Sequence, residues 1–193
     1  CGTIRLGVNN ALPATAVLHL GLEAGQSSTN ATFDLGGYDQ QLPGLVDRGT
    51  DNLHVITNSA ATVSTLTVNN PSTPYSFGGV LCGKLALVKA GAATLTLTNA
   101  SVATGSVLVN AGTLAVVGAG TLGPNFTNVV VSAGALLLSN SVAVADSATV
   151  RIANGGGAKV NLADGVAETV GWLYFGDKLR PGGTYSAAMD SEH

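Results

Sequence analysis

The residues able to do chemistry are few: 11 acidic and 8 basic side chains, 3 histidines and 2 cysteines in 193 residues. The densest acidic group is Asp34, Asp39, Asp47 and Asp51. Grouped carboxylates serve sugar-cleaving enzymes as acid/base partners, and the same hard oxygen donors hold calcium. Only Arg48 accompanies them, and Asp is also a turn former, so solvated turns are the expectation here. His19 and His54 stand isolated, and a metal site needs more ligands than lie near either. The run Gly118-Ala-Gly120-Thr-Leu-Gly123 matches G-x-G-x-x-G by letter. A dinucleotide site would need a strand before it, a helix after it and an acid about twenty residues on. Pro124 follows instead, so a turn is expected. No G-x-S-x-G nucleophile elbow occurs. The reading is of a non-enzyme with no catalytic group, no metal and no cofactor.

Cys1 and Cys82 are too few for a disulfide framework or a metal site. Three readings stay open for them: a lipid on the N-terminal Cys1 of an exported protein, a disulfide within or between subunits outside the cell, or two thiols. Sequons stand at Asn30, Asn99 and Asn125 and matter only in a host that glycosylates them. Trp172, Tyr174 and Tyr185 fall in the C-terminal segment and read either as a sugar-stacking platform or as a hydrophobic cap.

The elements that must position these groups follow from composition and period. Charged residues make up 10% and apolar ones 46%, which excludes disorder. Net charge is −3 with no basic patch, which argues against nucleic acid binding. No apolar run reaches the length of a membrane-spanning helix. The apolar residues are mainly Ala, Val and Leu, aromatics are 5%, and 26 residues are Gly. Leu85-Ala-Leu87, Val107-Leu-Val109, Val129-Val-Val131 and Val150-Arg-Ile152 recur about every 21 to 22 residues. Each is followed by a second alternating run: Leu95-Thr-Leu97, Leu114-Ala-Val116, Leu136-Leu-Leu138 and Val160-Asn-Leu162. The turns between them are Lys89-Ala-Gly-Ala, Asn110-Ala-Gly112, Ser132-Ala-Gly134 and Asn154-Gly-Gly-Gly157.

Period-2 alternation puts Leu and Val on one face of a strand, and Gly turns the chain between strands. One such coil cannot bury its own apolar face, whereas a stack of coils can. The expected fold is all-β, a right-handed parallel β-helix (β-solenoid) with an aromatic C-terminal hairpin or cap and almost no helix. One domain over 1–193 is expected, with less regular coils over 1–78, regular ones over 79–165 and a capping segment over 166–193. In the first third, Ile4-Arg-Leu6, Val17–Leu20, Thr32–Leu35, Val55-Ile56 and Val63–Val68 read as strands, before a turn at Asn70-Pro71-Ser-Thr-Pro74.

Several segments resemble the autotransporter-associated β-strand repeat. Gly79-Val-Leu-Cys-Gly83, then Leu87, Lys89, Gly91 and Thr94-Leu-Thr-Leu97 are similar to G-x-[IL]-x-G followed by L-x-K-x-G-x-G-T-L-x-L. Val107-Leu-Val-Asn-Ala-Gly-Thr-Leu114, Phe33–Gln40 through Leu45, and Leu173–Gly176 to Pro181–Tyr185 resemble its flanking segments. Cys82 replaces a small polar residue of that pattern, and Ala93 a Gly. The resemblance implies a β-helix in an exported bacterial surface protein, extracellular or at the cell surface, with no catalytic residues.

Cys1 at the start reads as a removed export signal or a fragment boundary. Cys1-Gly-Thr-Ile4 matches the middle of a coil, so both ends of the stack read as open edges. The expected function is a structural or adhesive surface protein that self-associates end to end, as a head-to-tail filament subunit. The rivals are a polysaccharide-acting β-helix enzyme and a module binding surface glycan.

Overall fold

Short alternating runs joined by glycine-bearing corners leave each apolar side chain half covered until a second run lies on it. The computed structural model, which describes residues 2–21, 30–48 and 54–186, shows that stacking. Strands β1 (Gly2–Arg5) and β2 (Leu18–Leu20) precede three coils of three strands each. These are β3 (Ala31–Asp34), β4 (Gln40–Leu42) and β5 (Leu45–Asp47); β6 (Val55–Asn58), β7 (Ser64–Asn69) and β8 (Tyr75–Phe77); β9 (Val80–Gly83), β10 (Leu85–Ala90) and β11 (Thr94–Leu97). Three further coils carry two strands each: β12 (Ser106–Val109) and β13 (Thr113–Val116); β14 (Asn128–Val131) and β15 (Ala135–Leu138); β16 (Thr149–Ile152) and β17 (Lys159–Leu162). The last coil has β18 (Ala167–Val170) and β19 (Trp172–Phe175), then β20 (Lys178–Arg180) and β21 (Gly183–Ser186). No helix occurs among the described residues, and the stacked coils form a parallel β-solenoid.

Three faces result. The first runs β1-β3-β6-β9, the second β4-β7-β10-β12-β14-β16-β19-β20, and the third carries β8-β11-β13-β15-β17 with β2-β5 before it. Every strand pairing is parallel until the last coil. Beyond β9 the first face continues by single bonds, such as Val102 N–H to the Leu81 carbonyl at 2.8 Å and Ser101 N–H to the Thr121 carbonyl at 3.0 Å. In-register stacking builds columns of like residues. Leu66, Leu87, Val107, Val129, Val150 and Leu173 form one, all buried. Burying each such side chain contributes about 1.5–3 kcal/mol. Gly91, Gly112 and Gly134 stack at the corner between the second and third faces, each with φ between +62° and +77°. At Gly91 a Cβ would stand 2.5 Å from the Asn70 carbonyl oxygen, so only glycine fits between coils there.

Two sequence expectations need correction. The repeat spacing aligned Leu85 with Val107, but the register pairs Leu87 with Val107. Strand β10 runs two residues longer than β12, one at each end. Lys89 and Ala90 are not turn residues: they end β10, and Lys89 faces inward between Val68 and Val109. The coils of the first third, less regular in spacing, belong to the same stack. The sequence reading passed over β4, β5 and β8 there, and took Val80–Gly83, the later β9, only as part of a repeat motif.

The two ends of the stack differ. After β19 the chain reverses: β20 lies antiparallel along β19, and β21 antiparallel along β18. This realises the aromatic hairpin and covers the last edge on two faces. Lys178 and Arg180 pair with Phe175 and Leu173, inward-facing positions, and so set charge over the end of the core. At the other end β1 pairs only with β3 and is exposed throughout, and Ile4, above buried Phe33, is 59% exposed. The free edge of β4 is met by residues 9–12: Asn9 and Asn10 accept the Asp39 and Gln41 amides, and Gln40 bonds both the N–H and the carbonyl of Leu12. Of the two open edges expected, the structure therefore keeps the one at β1 and covers those at β18 and β19.

Candidate functional site

The acidic group disperses over the corners of the coils. Asp34 accepts the Ser59 amide and hydroxyl and the Gly36 amide, with the Arg5 guanidinium 3.5 Å away. Burial works against its charge, but these donors outweigh it and hold the carboxyl below its ordinary range. Asp39 accepts the Thr65 amide at 2.7 Å and Asp47 the Gly78 amide at 2.6 Å. Each carboxylate thus ties its own coil to the next, and none converges with another on a shared space. Asp51 lies outside the described residues. Among the described residues no group of three or more His, Cys, Asp or Glu side chains could hold a metal ion.

His54 is buried, with Nε2 donating to the Arg48 carbonyl at 2.8 Å and Nδ1 accepting the Ala31 amide at 3.2 Å. Both ring nitrogens are thereby spent on backbone. His19 accepts from Arg48 Nε at 3.0 Å on the outside. The Gly118–Gly123 segment is a turn followed by an isolated bridge from Thr121 to Ala100, with no helix after it. Cys82 is half-buried on β9, opposite Thr57, and has no disulfide partner among the described residues. Cys1 lies outside them. Of the sequon residues, Asn99 donates to the Gly78 carbonyl and Asn125 to the Val102 carbonyl; Asn30 directly precedes β3.

Two ionisable residues that the sequence reading did not single out are buried. Lys89 Nζ donates to the carbonyls of Ala90, Gly91 and Ala111 at 2.7, 2.8 and 3.1 Å, and burial pushes its pKa down to about 8. The amine occupies the corner that Gly91 turns, where it supplies a donor to the Gly91 and Ala111 carbonyls and a second one to the Ala90 carbonyl, which also accepts the Asn70 amide. Glu168 accepts the Val144 amide at 2.9 Å and the Ala143 amide at 3.3 Å. Burial, with Asp146 nearby, pushes its carboxyl up despite these bonds. Both residues join neighbouring coils. A shallow depression of about 260 Å³ lined by Thr121, Pro124, Val142, Val144 and Asp146 lies beside this contact.

The aromatic residues divide. Tyr185, on β21, donates its hydroxyl to the Pro181 carbonyl and stands opposite Glu168 on the first face. Trp172 and Tyr174 lie on the second face. Buried Val150, Ile152 and Leu173 point inward, so Thr149, Arg151, Trp172 and Tyr174 point out. Trp172 stacks on Thr149 and Tyr174 on Arg151 in register. The Arg151 guanidinium lies 4.2 Å from the Tyr174 ring centroid, donates to the Gly176 carbonyl at 2.8 Å and stands 3.7 Å from the Asp177 carboxylate. Trp172 is 52% exposed. Here two of the sequence-selected residues, Trp172 and Tyr174, gather with exposed polar groups.

Residues 87–116 match the family model of the passenger-associated-transport-repeat. They run from Leu87 in β10 to the end of β13, one full coil and the two strands of the next. The chain carries that repeat, and its β-solenoid fits the passenger domain of an exported bacterial surface protein. Neither the curated proteins nor the solved structures contain a match to the chain. Among the described residues no helix is long and apolar enough to cross a membrane.

Proposed function

We propose that this β-solenoid, carrying a passenger-associated-transport repeat, is a rigid, non-catalytic structural segment of an exported surface protein that holds an adhesive face outside the cell. The observation that carries this reading is how the polar groups are used. Asp34, Asp39, Asp47, His54, Lys89 and Glu168 are each spent on a backbone group of another coil or corner, which is what a stiff rod needs. A catalytic group instead faces a substrate-sized space and keeps its reacting atom free. The reversal of β20 and β21 over β19 and β18 covers the edges that the next subunit would need, which weighs against head-to-tail growth into a filament.

The test has two arms. Expressed in its bacterial host, the chain should be labelled by antibody on intact cells; labelling only after lysis overturns the surface role. Purified chain incubated with a polysaccharide panel should release no new reducing or unsaturated ends, and fibres in negative stain would restore the filament reading.

A further inference from the structure

The adhesive part of that reading has a place to act, and the inference here rests on it. We propose that the outer surface of the last two regular rungs of the second face, Thr149, Arg151, Trp172 and Tyr174 with Asp177 at its rim, binds an uncharged sugar ring of a surface polysaccharide. Two rungs about 4.8 Å apart, and residues two apart on a strand about 6.7 Å apart, place these four side chains at the corners of a patch the size of one pyranose ring. Trp172 leaves about half its surface in water, on a strand whose neighbour Leu173 is buried. A sugar has the complementary build: an axial C–H face to lie on the indole, and hydroxyls around its rim.

The rim is supplied for hydroxyls. Arg151 lies over Tyr174 and spends Nη1 on Gly176, which leaves its other guanidinium N–H groups as donors for a ligand. The Asp177 carboxylate is fully exposed and free to accept, and Thr149 offers a hydroxyl beside the indole. Asn128, exposed one rung further on, extends the polar margin. Arg151 and Asp177 cancel each other's charge, which favours an uncharged sugar over a uronate or sulfate. Lys178 and Arg180 pair with the inward positions Phe175 and Leu173, on the other side of the sheet, and add no cation to this surface.

Trp172 is the sole tryptophan of the chain, so intrinsic fluorescence reports on the patch alone. The folded chain is titrated with dextran, laminarin and galactomannan, with polygalacturonate as the acidic comparison. The expected result is a blue-shifted, saturable change with at least one neutral polymer, matched by retardation in gels containing that polymer. Trp172→Ala should abolish retardation, Arg151→Ala should weaken it by about tenfold, and Trp172→Phe should largely retain it. An unchanged circular dichroism spectrum for Trp172→Ala guards against loss of folding. No response to any neutral polymer, a response to polygalacturonate alone, or burial of Trp172 in a dimer by sedimentation overturns the proposal. Antibody labelling of intact cells is blind to Trp172→Ala, so failure of this site and failure of the surface role are separately visible.

Discussion

Lys89 is the residue whose behaviour depends most on the stack, and its replacement by methionine tests the packing directly. The side chain is fully buried in an inward column, yet its amine meets three carbonyls of two coils. Burial lowers its pKa from 10.5 to about 8, so the amine is still charged at neutral pH. Below both values folded and unfolded chains hold the same proton, and the folded one bears the full cost of desolvation. Between about 8 and 10.5 the unfolded chain binds more protons, so stability rises with pH across that window. The shift corresponds to at most about 3 kcal/mol, since carbonyl contacts to the ammonium offset part of it. Lys89→Met removes the charge and keeps the chain length, so its stability should lack this rise. Urea unfolding followed by circular dichroism, at about pH 7.5 and about pH 10.5, gives the slope for each protein. All other titrating groups are shared, so the difference in slope belongs to Lys89. Equal slopes would refute the reasoning, because the carbonyls would then be compensating the buried ammonium in full.

Three further outcomes follow from the same packing. Gly91→Ala should cost about 3 kcal/mol or more, because its Cβ meets the Asn70 carbonyl at a positive φ; Gly118→Ala, with a positive φ and open space, should cost only about 1–2 kcal/mol in the same unfolding assay. Leu114→Ala in the buried third-face column should cost about 2–5 kcal/mol, against less than about 0.5 kcal/mol for Val142→Ala, which is 67% exposed. Replacing Lys178 and Arg180 together by valine should turn a monodisperse sedimentation profile into a concentration-dependent one, because charge then no longer blocks the covered end; an unchanged profile would show that β20 itself suffices as the cap.

Much of this was legible in the chain. The alternation in Leu95-Thr-Leu97 or Val129-Val-Val131 needs only the period of a strand, and Gly91, Gly112 and Gly134 mark their corners because no other residue turns there without strain. Strands of three residues with polar members, such as Gln40-Gln-Leu42 and Leu45-Val-Asp47, carry too few alternations to stand out. Lys89 read as a turn because a lysine next to Ala-Gly is ordinarily in water, and only a coil above it makes three carbonyls available inside. Asp34 fell in a strand motif, and Asp39 and Asp47 read as turn residues, although Asp47 ends β5; none was recognisable as a tie to Ser59, Thr65 or Gly78, which lie more than twenty residues away.

Local pattern alone determined that this chain makes short strands with one apolar side, turned by glycine and stacked in parallel, because side-chain alternation and backbone freedom act within a few residues. Tertiary structure alone decided which residues lie over which: the Leu87–Val107 register, the inward lysine, the pairing of β20 with β19 and of β21 with β18, and the meeting of Arg151 with Tyr174. Those depend on the length of each corner and on the edge a strand finds unpaired, and such quantities exist only once the coils are closed on one another.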